Sequence, residues 1–186
     1  MANNFFNTMM EIKNDPMVFL QVKEAIEKEK SMGKYLDNKN VDNTCLAYYL
    51  KADFNKEQIF ELALGVLHNV DISLYGHKFY TARQMREIRT GLQQGVNILT
   101  VVDARFDDRQ MQEIRFWMIN EMDVSIIANR RISWLQMKRI GDLVVKGEID
   151  KAKEMAKECA DENLAHENWA MDANSVKSFI SPRKRK

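Results

Sequence analysis

The chain has 186 residues, a net charge of +1 and two cysteines, and 45% of its residues are hydrophobic while 30% are charged. This composition excludes an intrinsically disordered chain and a disulfide-rich secreted domain, and the length suits one domain with its own core. No apolar run approaches the roughly 20 residues of a membrane-spanning helix, and no secretory signal is visible, so we expect a cytoplasmic protein that does not enter a membrane.

The N-terminal part, residues 1–53, is predicted to form a helical cap. Asp15 is a good N-cap residue and Pro16 suits the first helical position, so a helix is predicted from there to Gly33. A second helix is predicted over residues 44–51. Neither helix resembles the segments that follow, as is typical of the end of a repeat array.

Four glutamines then recur at intervals of 26 residues, each within the same local pattern: Gln58, Gln84, Gln110 and Gln136. Three positions before each glutamine stands a residue suited to an N-cap: Asn55, Thr81, Asp107 and Ser133. A cap followed by glutamine at this spacing forms a capping box, and apolar residues on either side complete a hydrophobic staple. The pattern therefore predicts four helix starts and gives the glutamines a structural role.

Each predicted helix carries apolar residues at intervals of three and four, which indicates one buried stripe. Gly95 and Gly147 suit the left-handed position that ends a helix, and Glu121 suits it less well. A second, short helix is predicted in the first three repeats, after an Asp or Asn cap: Asp71, Asn97 and Asp123. Each repeat is therefore predicted to be an αα-hairpin.

The whole chain is predicted to be one all-α domain of tandem αα-hairpin repeats with helical caps, as a short solenoid or a compact helical bundle. Residues 54–147 hold the four repeats, residues 148–175 form a charged C-terminal capping helix, and residues 176–186 form a basic tail.

Two stretches of this pattern, Gln84–Ile98 and Phe106–Arg115, resemble short helical repeats in proteins of Gram-positive gut bacteria, which are often carried on phages and integrative mobile elements. The resemblance covers about residues 54–147 and is specific as a repeat signature. It implies a mobile-element protein, a class that includes inhibitors of host defence such as anti-CRISPR proteins. It carries over no functional residue.

A search for catalytic chemistry gives no candidate, so we expect a protein that is not an enzyme and needs no metal or cofactor. No histidine stands three or four positions from another histidine or from a cysteine, so helical metal-ligand spacing is absent. The recurring Glu61, Glu87 and Glu113 are predicted to form surface ion pairs with arginines of the same helices.

A column of basic residues is the stronger signal, because equivalent positions of successive repeats would align as a ladder. An arginine ladder suits a phosphate backbone or an acidic protein groove, although a solvated, ion-paired face explains it as well. Trp134 interrupts a polar column and is therefore an interface candidate, whereas Trp117 is predicted to pack in the core. The predicted partner-binding residues are Arg83, Arg86, Arg89, Arg109, Arg115, Trp134 and Lys138.

Three functions follow from these observations. The first, which the resemblance implies, is a non-enzymatic binding protein of a mobile element that inhibits a nucleic-acid-guided host nuclease, with that nuclease or its nucleic-acid complex as the partner. The second is direct DNA or RNA binding through the arginine ladder and the basic tail. The third is a helical scaffold or dimerisation protein.

Overall fold

The structure is a computed structural model that describes residues 52–68 and 70–180, together with Met17, Leu20 and Glu24. Within this part of the chain every regular element is helical, with five α-helices, three short 3-10 helices and no strand. The predicted all-α class is therefore confirmed. Most of the predicted N-terminal cap lies outside the described residues, as do Asn69 and the end of the basic tail.

Four helices of 12 residues begin at intervals of 26 residues, and a long helix follows them. They are α1 (Lys56–Leu67), α2 (Ala82–Gln93), α3 (Asp108–Ile119), α4 (Trp134–Val145) and α5 (Ile149–Ile180). The predicted short second helices are confirmed as single 3-10 turns, at Ile72–Leu74, Ile98–Thr100 and Val124–Ile126.

The helix starts follow from the predicted caps. The Gln84 backbone N–H donates to Thr81 Oγ1 at 3.2 Å, and the Thr81 N–H donates to Gln84 Oε1 at 2.8 Å. The same reciprocal pair begins α1, α3 and α4. The staple residues on both sides of each cap are buried, so local polar bonds and apolar burial fix the same helix starts.

The helix ends use left-handed backbone, as predicted for the two glycines. The φ angles are 80° at Gly95 and 78° at Gly147, and Glu121 adopts 55° at the equivalent position after α3. At each of these ends the next N–H bonds back to a carbonyl five residues earlier, as Met122 does to Trp117 at 2.9 Å. Glu121 therefore bears a conformational cost that the glycines avoid.

Replacing Glu121 with Gly is expected to stabilise the protein by about 1 kcal/mol, because left-handed backbone is disfavoured for residues with a Cβ. Gly95→Ala is the matched reverse change and should lower the free energy of unfolding by about the same amount. No atom lies within 4 Å of the position its Cβ would take, so the backbone alone sets this effect. Urea unfolding measures the free energy of unfolding of both variants. If Glu121→Gly and Glu121→Ala were equally stable, the gain in stability would come from removal of the Glu121 side chain and not from relief of the left-handed backbone.

The last helix is longer than predicted. α5 continues to Ile180, so residues 176–180 of the predicted tail are helical. Its inner face carries Ala152 and Ala156, which are buried and small enough to let α5 lie close to α4. Further along, Asn163 Nδ2 donates to the Arg131 carbonyl at 2.6 Å. α5 therefore packs against α4, and its role as a capping helix stays a prediction.

The described residues fall into two compact units, and the boundary lies within α3. The first unit ends at Arg115 and the second begins at Phe116. The first contains α1, α2 and the start of α3, and the second contains the end of α3, α4 and α5. That the repeats form a single domain, as a solenoid or a bundle, stays a prediction.

Candidate partner-binding surfaces

The repeated glutamines link successive helices of the first unit, in addition to their capping role. Gln58 Nε2 donates to the Tyr80 carbonyl at 2.7 Å, and Gln84 Nε2 donates to the Phe106 carbonyl at 2.7 Å. Both glutamines are buried, so leaving these groups unbonded would be costly. Each glutamine therefore fixes the start of its own helix and the position of the next.

Glu61 is a buried carboxylate that binds two arginines of the following helix. Arg89 Nε donates to one carboxylate oxygen at 2.9 Å, and Arg86 Nε donates to the other at 3.1 Å. The Glu61 side chain is 2% exposed and that of Arg89 is 9% exposed, whereas Arg86 is 58% exposed. The Arg89 Nη1 group also donates to Gln93 Oε1 at 2.5 Å. This cluster joins α1 to α2.

Glu87 and Arg115 repeat that bond between α2 and α3. Arg115 Nη2 lies 2.9 Å from Glu87 Oε2, and Arg115 Nη1 donates to Gln94 Oε1 at 2.7 Å. The two charged side chains are 13% and 15% exposed, so this pair is only slightly less buried than the pair of Glu61 and Arg89. Its members stand at the equivalent positions, one repeat later.

These contacts correct one prediction and reduce the number of predicted arginines that are available to a partner. Surface ion pairing within a single helix is wrong for Glu61 and Glu87, because their partners lie in the next helix and the pairs are largely buried. Arg89 and Arg115 are therefore occupied in holding helices together. Three of the predicted arginines of the first unit stay exposed on their helices: Arg83, Arg86 and Arg109. Their binding role stays a prediction.

Trp134 and Lys138 lie together on α4 in the second unit. The Lys138 Nζ atom is 5.6 Å from the centre of the Trp134 ring, which is half-buried. An ammonium group at this distance is attracted to the face of an indole ring. Trp117, in contrast, is 1% exposed, so its predicted place in the core is confirmed.

Large apolar side chains are exposed on the helices of the second unit. Phe116 is 54% exposed and Val145 is 80% exposed, and two further members complete what we call the apolar face: Phe116, Ile119, Leu135 and Val145. Phe116 and Ile119 are three residues apart on α3. Leu135 and Val145 share one side of α4 with Lys138, because positions separated by three, seven and ten residues align on a helix.

A cluster of three aromatic rings lies in the turn that precedes α2. The rings of His77 and Phe79 are stacked, with centroids 5.1 Å apart and planes 9° apart. The Tyr80 ring lies 4.6 Å from that of Phe79. Burial raises the pKa of the Tyr80 hydroxyl, and the charge of Asp103 raises this pKa further. Tyr80 is buried, whereas Phe79 is 64% exposed.

Phe79 and Phe116 were not predicted as partner-binding residues, although each is the one aromatic residue in its column of the repeat. Phe79 stands where the other repeats have the charged residues Asp53, Arg105 and Arg131. Phe116 stands where the second and fourth repeats have Thr90 and Asp142. The criterion that selected Trp134, an aromatic residue in an otherwise polar column, also selects Phe79, whereas the column of Phe116 includes the apolar Leu64.

The described part of the chain has few other groups that could act as a nucleophile or bind a metal ion. Burial raises the pKa of the Cys159 thiol, and Glu162 and Glu158 raise it further, so the reactive thiolate is disfavoured. Among residues 52–68 and 70–180, no three His, Cys, Asp or Glu side chains are grouped so that they could hold a metal ion. None of the described helices is both long enough and apolar enough to cross a bilayer.

Comparison with known proteins gives no relative. No protein family, no curated protein and no solved structure matches the chain.

Proposed function

We propose that the chain is a non-enzymatic binding protein that recognises a protein partner through the apolar face of its second unit. The exposure of Phe116 and Val145, at 54% and 80%, is the observation that carries this proposal. Single exposed apolar residues are ordinary on monomeric proteins, whereas a contiguous exposed apolar patch is typical of an interaction site, and the proposal takes the four residues to form such a patch. Trp134 and Lys138 lie on the same helix and add groups that suit an interface.

The arginine ladder of the first unit provides less support for a partner that is mainly anionic. A phosphate-binding ladder needs guanidinium groups that face the solvent, and Arg89 and Arg115 are instead bound to buried or half-buried glutamates. The exposed Arg83 and Arg109 favour the second candidate, direct DNA or RNA binding, with the basic tail as a further contact. The third candidate is a dimerisation scaffold that would use the apolar face to bind a second copy.

The class of partner that we propose comes from the resemblance of the repeats to mobile-element proteins. An inhibitor of host defence acts by occupying the surface of a host protein, and a guided nuclease is the partner that this resemblance suggests. Such a role fits a cytoplasmic protein, and the two cysteines are consistent with a reducing environment.

The decisive experiment captures partners from extract of a Gram-positive host, with and without nuclease treatment, and compares two double variants by mass spectrometry. A specific protein should be lost with Phe116→Ser/Val145→Ser and retained with Arg83→Glu/Arg109→Glu. Both variants should melt like the wild type, because the four side chains are exposed.

The other results distinguish the alternatives. Loss of the partner in the arginine variant only, together with sensitivity to nuclease and a steep salt dependence, would favour direct nucleic-acid binding. A molar mass that doubles with concentration in light scattering, and that the Phe116→Ser/Val145→Ser variant prevents, would favour the scaffold. A protein partner that both variants retain would show that the apolar face is not the binding surface.

A further inference from the structure

Phe79 lies in a hydrogen-bonded turn of the first unit and is exposed to solvent. The Tyr80 N–H donates to the His77 carbonyl at 3.1 Å, which closes the turn that carries the ring. Tyr80 anchors the turn because it is buried and its carbonyl accepts the bond from Gln58. The next residue, Thr81, caps α2. Phe79 is nevertheless 64% exposed, with His77 stacked parallel to it.

The charge around this ring is positive. Residues 72–86 contain three basic residues and no Asp or Glu, and they include the start of α2. Lys78 and Arg83 are exposed, whereas Arg86 is ion-paired with Glu61. The carboxylate of Asp103, on the next turn, is bound by Arg105, whose Nε donates to it at 3.0 and 3.1 Å. The positive end of the α2 dipole adds to the field of the two free-standing cations.

We propose that this turn binds single-stranded nucleic acid, with an unpaired base stacked on Phe79 and the adjoining phosphates held by Lys78 and Arg83. Exposed lysine and arginine would attract any polyanion, but a flat, solvent-exposed ring beside them favours bases that are free to stack. Bases in a duplex already stack on each other and cannot reach the ring. This site lies in the first unit, whereas the residues of the apolar face belong to the second.

The test is fluorescence anisotropy with a labelled oligo(dT) of about twelve nucleotides, a length within the usual range for a single binding site. The wild-type chain should bind it at least about tenfold more tightly than a duplex of the same length. Phe79→Ala should weaken binding by about tenfold or more, and Phe79→Trp should restore it, because loss of one stacked base has effects of this size. Lys78→Gln and Arg83→Gln should each reduce the slope of log affinity against log salt by about 0.7.

Phe116→Ala is the matched control, because Phe116 is also an exposed phenylalanine and lies in the other unit. It should leave oligonucleotide binding unchanged, and Phe79→Ala should leave capture of the protein partner unchanged. Oligonucleotide affinity that is equal in the wild type and Phe79→Ala would overturn the proposal, as would absence of binding at millimolar protein. Loss of the protein partner in Phe79→Ala would instead assign the turn to the protein interface.

Discussion

Glu61→Gln is expected to lower the free energy of unfolding by about 3–5 kcal/mol, the range seen when one member of a buried ion pair is removed. The Glu61 carboxylate is 2% exposed and lies 2.9 Å from the Nε atom of Arg89, which is 9% exposed. An amide of the same shape keeps the packing but leaves the buried guanidinium without its counter-charge. Urea unfolding followed by circular dichroism measures the loss.

Two other glutamates provide a graded control, because the burial of the pair should set the size of the effect. Glu87→Gln, in a pair that is 13% and 15% exposed, should cost less than Glu61→Gln. Glu148→Gln, in the exposed pair with Lys151, should leave the free energy of unfolding nearly unchanged. Equal losses in all three variants would contradict this account. The double variant Glu61→Leu/Arg89→Leu should recover most of the stability, because apolar residues can replace a buried pair.

The local signals of the sequence predicted the helices well. Caps, capping boxes and staples operate over about five residues, and the structure places the four helix starts where those residues stand. The left-handed helix ends were likewise predicted at Gly95 and Gly147, since glycine adopts this backbone freely. Glu121 adopts the same backbone at φ 55°, although it suits that position less well than glycine does.

Contacts between helices were not predictable in the same way. The partner of Glu61 is Arg89, 28 residues later, whereas the sequence analysis sought partners within one helix. The Gln84 amide was assigned only its capping bond, although its nitrogen also donates to Phe106. Both errors have one cause: a single sequence shows which residues recur, but not how far one helix is displaced against the next.

The sequence also could not predict which residues of the candidate surfaces are exposed. The arginine column was visible in the sequence, but burial divides it into structural members such as Arg89 and exposed members such as Arg83. Burial depends on the offset between neighbouring helices, which the sequence period does not contain. In contrast, Phe79 and Phe116 could have been found by comparing each column for aromatic exceptions, since that comparison needs no structure.

Trp117→Ala is expected to lower the free energy of unfolding by about 3–5 kcal/mol, as truncation of a buried aromatic residue does. Trp117 is 1% exposed and stands where earlier repeats have Gly65 and Gly91. At Gly65 an added Cβ would lie 1.9 Å from the Tyr75 hydroxyl, so that position has no room for a side chain. The third repeat has Ile127 in place of Tyr75, and the indole fills its core instead. Circular dichroism during urea unfolding measures this loss in the free energy of unfolding.

Trp134→Ala is the matched control for Trp117→Ala, because Trp134 is half-buried and its observed ring contact is with Lys138. Its loss should cost about 1 kcal/mol, the scale of an exposed cation–π contact.

Gly141 tests the packing of Trp117 directly, since an added Cβ there would lie 3.4 Å from Cζ2 of Trp117. Gly141→Ala should therefore stabilise α4 by about 1 kcal/mol in the Trp117→Ala variant, through helix propensity, and by less in the wild type. If Trp117→Ala cost no more than Trp134→Ala, the indole could not be the centre of the second unit's core.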